Sequence, residues 1–211
     1  IKLEDFRECY AVAGLDLSQT VDLTSACVVI EKDGVLNVVS HFWMPAEKLE
    51  EAIERDGVPY NIYLQQGDLT LSGDNFVDYH DVFQWFRDLI EKYHIYPLKV
   101  GYDRYSAQYL IQDLTNYGFQ CDDVFQGENL WSTLQEMEGL IRDKRLQIGN
   151  NNLLKAHLLN SAIKMNTERG RGRLVKINAT SRIDGTAALS DAMCVRQKWF
   201  AEIGQQLKNE G

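Results

Sequence analysis

The stretch Tyr10-Ala11-Val12-Ala13-Gly14-Leu15-Asp16-Leu17 is apolar or small at every position except Asp16. Rich in apolar and β-branched residues and followed by the polar Ser18-Gln19-Thr20-Val21-Asp22, it reads as a strand. Thr24 to Glu31 repeats that composition, Lys32-Asp33-Gly34 supplies hairpin-turn chemistry, and Val35 to Phe42 alternates as a third strand. Three consecutive antiparallel strands therefore open the chain.

Beyond them the period changes. Leu49, Ala52 and Ile53 fall at helical spacing within Ala46 to Arg55, whereas Asn61 to Ser72 fits either a strand or an extended loop. Asp78 to His94 carries a broad apolar stripe (Val82, Phe83, Trp85, Phe86, Leu89, Ile90, Tyr93) with a period near 3.6, a helix. Leu98 to Tyr102 reads as a short strand ending at Asp103, Ala107 to Tyr117 as a helix, and Cys121 to Phe125 as a strand. Helices follow over Leu130 to Asp143 and Asn151 to Met165, then a strand over Leu174 to Asn178 and a last helix from Asp184 to about Leu207. This order predicts an α/β fold: a mixed central sheet, antiparallel on one side and parallel on the other, flanked by helices.

With 211 residues, 45% of them apolar, the chain fits one domain spanning 1–211. At this length about 70% of the unfolded surface can be buried, so neither disulfides nor a structural metal is needed. No apolar run is long enough to cross a membrane, and the N-terminus lacks a signal-peptide pattern. The absence of a starting Met is what a piece of a longer chain would show. Cys9, Cys27, Cys121 and Cys194 share no zinc-ligand spacing, so reduced thiols are expected. A net charge of −9, from 22 basic and 31 acidic residues, argues against tight non-specific nucleic-acid binding unless the basic residues are clustered.

Four aspartates stand where chemistry could be assembled. Asp16 closes the first strand, Asp103 closes the fourth, Asp184 opens the last helix, and Asp191 lies seven residues, close to two helical turns, further on. Carboxylates gathered from two strands and a helix repel one another unless a cation compensates, and such a cluster suits hard divalent ions, Mg2+ or Mn2+. Two such ions about 3.5–4 Å apart activate a water and stabilise a leaving oxygen in phosphodiester hydrolysis. Each aspartate also has a bland reading as a turn or cap residue, Asp184 as an N-cap above all. Asp191 fits that reading least, because Ala187, Ala188, Leu189, Ala192, Met193 and Val195 surround it. Asp22 reads as a turn residue. His41, His80, His94 and His157 share no ligand spacing and read as surface or interface residues, while Trp43, Trp85, Trp131 and Trp199 read as core.

The basic residues are clustered. Lys164, Arg169, Arg171, Arg173, Lys176 and Arg182 are opposed only by Glu168, and Gly170 and Gly172 break the segment into a flexible basic loop or hairpin leading to Asp184. Beside an acidic metal cluster such a flap would position a phosphate backbone; alone, it would be a solvated face offsetting an acidic body.

Taken together these residues resemble the C-terminal nuclease domain of a tailed-phage terminase large subunit. The resemblance runs in order through Gly14-Leu15-Asp16-Leu17-Ser18 with Asp22-Leu23-Thr24, Tyr102-Asp103-Arg104-Tyr105, Gln126-Gly127 and Asn150-Asn151-Asn152. It continues through Leu159-Asn160-Ser161-Ala162, Lys176, and Arg182-Ile183-Asp184-Gly185 with Ala187-Ala188-Leu189. It implies a ribonuclease-H-like fold and a divalent-metal-dependent endonuclease that cuts concatemeric viral DNA during packaging. Asp16 and Asp103 match the first two metal-binding acids; Asp184 matches the third, with Asp191 as a fourth carboxylate or the actual third. Arg169, Arg171, Arg173, Lys176 and Arg182 would contact double-stranded DNA. The implied setting is the host cytoplasm, with a small terminase subunit, a portal and an ATPase domain as partners. No phosphate-binding G-x-x-x-x-G-K-[ST] occurs in this stretch.

Three rival readings remain. Gly14 to Thr20 also resembles the first phosphate loop of actin-like sugar kinases and heat-shock ATPases, which need two such domains. A Holliday-junction resolvase or transposase-like nuclease would keep the fold and change the DNA substrate. A catalytically silent DNA-binding or docking module would keep ordinary carboxylate pKa values and bind no divalent metal.

Overall fold

Hairpin chemistry sets the sheet. In the computed structural model, which describes residues 1–17, 23–103 and 107–210 (side chains of 202–208 and 210 excepted), β1 (Tyr10–Leu17), β2 (Thr24–Lys32) and β3 (Val35–Met44) form an antiparallel meander. Asp33 and Gly34 both adopt left-handed φ, 54° and 77°, the pair of conformations that a two-residue hairpin turn requires. Next come α1 (Leu49–Asp56), α2 (Tyr60–Gln66), β4 (Leu69–Leu71), α3 (Tyr79–Glu91) and β5 (Tyr96–Asp103). They are followed by α4 (Gln108–Tyr117), β6 (Cys121–Val124), α5 (Trp131–Arg142), β7 (Leu146–Gln147), α6 (Asn152–Leu159), β8 (Ser161–Asn166), β9 (Arg171–Lys176) and α7 (Asp184–Glu210). The sheet order is β4-β3-β2-β1-β5-β6, with β7 also pairing β3; β5 joins β1 in parallel and β6 joins β5 in parallel. The mixed α/β sheet is thus the one that the sequence order predicts.

Two segments differ from expectation. The undecided stretch Asn61 to Ser72 divides into α2, stopped by Gly67 at φ 81°, and β4 on the edge beside β3. The helix expected over Asn151 to Met165 is half strand. α6 starts on an Asn151 cap whose Oδ1 accepts the Leu154 N–H at 2.8 Å, but it ends at Leu159. From Ser161 the chain pairs antiparallel with β9, so ladder pairing overrides helical periodicity. The strand expected over Leu174 to Asn178 is β9, and it belongs to this separate two-stranded sheet.

Both faces of β1 are covered. Ala11, Ala13, Leu15 and Leu17 pack toward Val82, Phe86 and Leu89 of α3 and Leu110 and Leu114 of α4, while Val12, with Cys27 of β2, packs with Ala188, Leu189 and Ala192 of α7. α7 lies unusually close to the sheet. Gly14 and Gly101 are neighbours in the β1–β5 register. A Cβ on Gly14 would overlap the Ala188 carbonyl oxygen and stand 2.7 Å from the Ala192 nitrogen. A Cβ on Gly101 would overlap the Asp191 carbonyl oxygen and stand 2.9 Å from Val195 Cγ1. This glycine pair is where helix backbone rests on strand backbone. Among the described residues no helix is long and apolar enough to cross a membrane.

Gly14→Ala should therefore lower stability by about 3 kcal/mol or prevent folding, since the methyl group meets backbone that cannot give way. Gly139→Ala in α5, where an added Cβ would meet no packing neighbour within 4 Å among the described residues, should leave stability unchanged or raise it by up to about 1 kcal/mol. Urea denaturation of the two variants checks the contrast; equal effects would remove the close-approach argument.

Candidate active site

Two positions beyond each paired glycine stands an aspartate. Side chains alternate along a strand, so Asp16 shares the face of Gly14 and Asp103 the face of Gly101, the face that α7 covers. α7 begins at Asp184, and Asp191 follows on the stripe that also carries Ala188 and Val195. The structure thus brings all four predicted acids into one electrostatic neighbourhood.

Their charges are in conflict. Burial pushes the Asp16 carboxyl well above the usual carboxylate range, reinforced by the charges of Asp184 and Asp191, a hydrogen bond shared with Asp184, and the charge of Asp103. Asp184 is raised by burial against the opposing effects of that hydrogen bond, Arg182 and Lys176. Asp191, fully buried, is pushed well up by burial and by Asp103, opposed by a hydrogen bond from Gln126. The bland cap reading accounts for none of this in Asp16 and Asp191.

The donor set fits a hard cation. Six buried side-chain polar atoms lack a hydrogen-bond partner among the described residues, and three belong here: Asp184 Oδ2, Asp191 Oδ2 and Ser25 Oγ. Ser25 faces Asp16 across the β1–β2 ladder. Unpaired buried oxygens are costly, and a hydrated divalent cation supplies what they lack. The acids do not form a closed cage on their own: among the described residues no three His, Cys, Asp or Glu side chains stand at metal-holding separation. Asp16 and Asp184 share a hydrogen bond instead.

Several groups fix the start of α7. The Gly185 N–H donates to His157 Nδ1 at 2.9 Å, and Ser161 Oγ donates to Thr186 Oγ1 at 2.9 Å. His157 is therefore a buried, neutral structural residue, not a surface one, and burial pushes its pKa down to about 3. A lone histidine with no ligand spacing gave no sign of this in the sequence. Trp43 is core, as expected, whereas Trp85, Trp131 and Trp199 are only half-buried.

The basic segment is a hairpin. Lys164 faces Arg173 and Asn166 faces Arg171 across β8–β9, so Lys164, Arg171 and Arg173 share one face. With Arg169 and Glu128 they line a groove of about 730 Å3. Glu128 already engages this groove, accepting from Asn166 Nδ2 at 2.9 Å and pairing with Arg169 at 3.4 Å. Lys176, at the hairpin base, lies near enough to Asp184 to favour its ionised form. Arg182 is not part of this face. Its guanidinium makes two bonds to Asp56, at 3.1 and 3.2 Å, with 12% of the side chain exposed, so its charge is committed to an internal pair. Asp22, Arg104 and Tyr105 lie outside the described residues.

A mixed sheet that carries acids at the ends of adjacent parallel strands, with two more on the covering helix, defines a ribonuclease-H-like polyacid centre. Residues 2–201 match the family described as terminase large subunit, endonuclease domain, and the chain belongs to that family. It is 29% identical over 182 residues to the terminase large subunit of Enterobacteria phage HK97, covering 84% of this chain and 36% of that protein. The chain thus spans little more than a third of that relative. The crystal structure of the HK97 large terminase superposes with a TM-score of 0.78 at 27% identity, over 89% of this chain and 40% of that one. The large terminase nuclease of thermophilic phage G20c with bound magnesium shares the fold at 12% identity, with a TM-score of 0.57 over 89% of this chain and 82% of that one.

Without metal, Asp16, Asp184 and Asp191 hold protons to higher pH in the folded chain than in the unfolded one, where aspartate ionises near 3.9. The folded state then binds more protons, so metal-free stability should fall as pH rises from about 4 through the raised folded values. Asp191→Asn should raise the metal-free Tm, by about 2–4 °C per kcal/mol recovered, and flatten that pH dependence. Calorimetry in EDTA between pH 4 and 8 checks both. A variant no more stable than the parent would show that the buried charge carries no penalty.

Proposed function

We propose that this chain is a divalent-metal-dependent DNA endonuclease, cutting concatemeric double-stranded viral DNA during genome packaging. The observation that carries the reading is the convergence of Asp16, Asp103, Asp184 and Asp191 on one face, with Asp184 Oδ2 and Asp191 Oδ2 buried and, among the described residues, without a hydrogen-bond partner. Two Mg2+ or Mn2+ ions, when bound, supply the charge that activates a water and steadies the leaving oxygen of a phosphodiester. Asp16 and Asp103, on strands held by ladders on both sides, fix one half of the ligand set; Asp184 and Asp191, on α7, close the other. Binding cations would replace the Asp16–Asp184 hydrogen bond and relieve the repulsion that, after burial, raises the Asp16 pKa.

Lys164, Arg169, Arg171 and Arg173 on the hairpin, with Lys176 at its base, would track the phosphate backbone and seat one ester over the acids. The family supplies the setting proposed for the whole protein: an ATPase domain in the same chain, a small terminase subunit, a portal, and the host cytoplasm as the place of assembly. The large terminase of another thermophilic bacteriophage, of which this chain covers 40%, was solved in complex with ATP-γ-S.

Supercoiled plasmid incubated with Mn2+, Mg2+ or EDTA tests the reading. Nicking and linearisation are expected with metal only, falling to background in Asp16→Asn and Asp103→Ala, with unchanged circular dichroism. Full cutting by either variant would sink the assignment. Strand transfer, or a preference for branched DNA, would instead favour the transposase or resolvase reading.

Neutralising Arg169, Arg171 and Arg173 together should weaken binding to linear duplex DNA measured in EDTA. The slope of log K against log salt should flatten by about 0.9 for each phosphate that the hairpin no longer neutralises. An unchanged slope would return the hairpin to a solvated face.

A further inference from the structure

Gln126, just beyond β6, touches the acid cluster. It lies two positions beyond Val124, which is buried, and four before Leu130, also buried, so it projects from a short arch anchored at both ends. Gly127, at φ 87°, makes the turn, and Glu128 ties the arch to the hairpin through Asn166. From this arch Gln126 Nε2 donates to Asp191 Oδ1 at 2.6 Å, across 65 residues of sequence.

The two oxygens of Asp191 are therefore unequal. Oδ1 is occupied by the amide, while Oδ2 is buried with no hydrogen-bond partner among the described residues. An amide N–H only donates, so the bond holds the carboxylate plane in one orientation and supports its ionised form. One oxygen of this buried acid is thus fixed by a neighbour, and the other is left for something that accepts a lone pair.

We propose that Gln126 is a positioning residue for the metal centre, fixing the Asp191 carboxylate so that Oδ2 alone is offered to a divalent cation. Asp191 then acts as a one-oxygen ligand, and its orientation is set from β6 and not from its own helix. The proposal rests on the metal-dependent reading given above.

The test uses Mn2+ alone, titrated calorimetrically into the whole chain without DNA. Gln126→Ala should weaken Mn2+ binding about tenfold or more, as loss of a group that orients a metal ligand does. Near-UV circular dichroism and duplex DNA binding in EDTA should stay unchanged, because Gln126 is itself exposed and its buried anchors remain. In an Asp191→Ala background the same substitution should have no further effect on Mn2+ affinity. Parent-like Mn2+ binding by Gln126→Ala, or effects that multiply in the double variant, would overturn the positioning role while leaving the metal reading intact. A parent chain that binds no Mn2+ would overturn the metal reading and this proposal together.

Discussion

Backbone contact between α7 and the two central strands is the constraint on which the site depends. A helix ordinarily packs on a sheet through side chains, which keep the two backbones apart. Here Gly14 and Gly101, side by side in register, remove that spacer, and Ala188 and Ala192 keep the helix side equally small. Carboxyl groups on α7 are thereby lowered toward carboxyl groups that the strands project beside those glycines.

Such an approach is electrostatically unfavourable by itself, and the fold holds it by other means. The start of α7 is tied down by His157 on the Gly185 N–H, by Ser161 on Thr186, and by the paired guanidinium of Arg182 on Asp56. Apolar packing of Leu189, Met193 and Val195 anchors the turns that follow. Stability is thus gathered around the acids and withheld at them, the distribution expected where a site is shaped for a charge that arrives later.

Much of this was legible in the sequence. Asp33-Gly34 and the apolar strands specify the meander, because turn chemistry and composition are local. The four acids stood out because each interrupts an apolar pattern or ends one. What was hidden depends on partners distant in sequence. Ser161 to Asn166 has the apolar content of a helix and becomes a strand only because Arg171 to Lys176 offers it a ladder. Arg182 belongs to a basic run in one dimension and to Asp56 in three, 126 residues away. His157 carries no spacing signal at all, and Gln126, though one of the residues through which the resemblance runs, shows its role only in three dimensions, since each works on a residue of a different element.

The order of the elements has a consequence for assembly. Asp16 and Asp184 are 168 positions apart, and the half of the acid cluster on α7 docks against a strand laid down long before it. Closing so long a loop is entropically expensive, and such contacts form late in folding. As the chain leaves the ribosome, β1 and β5 carry their two acids with nothing opposite them until Asp184 to Asp191 have emerged and docked. On the proposed reading, a nascent chain that has not yet reached α7 holds half a set of ligands, so no cutting centre exists before that helix has been made and has docked.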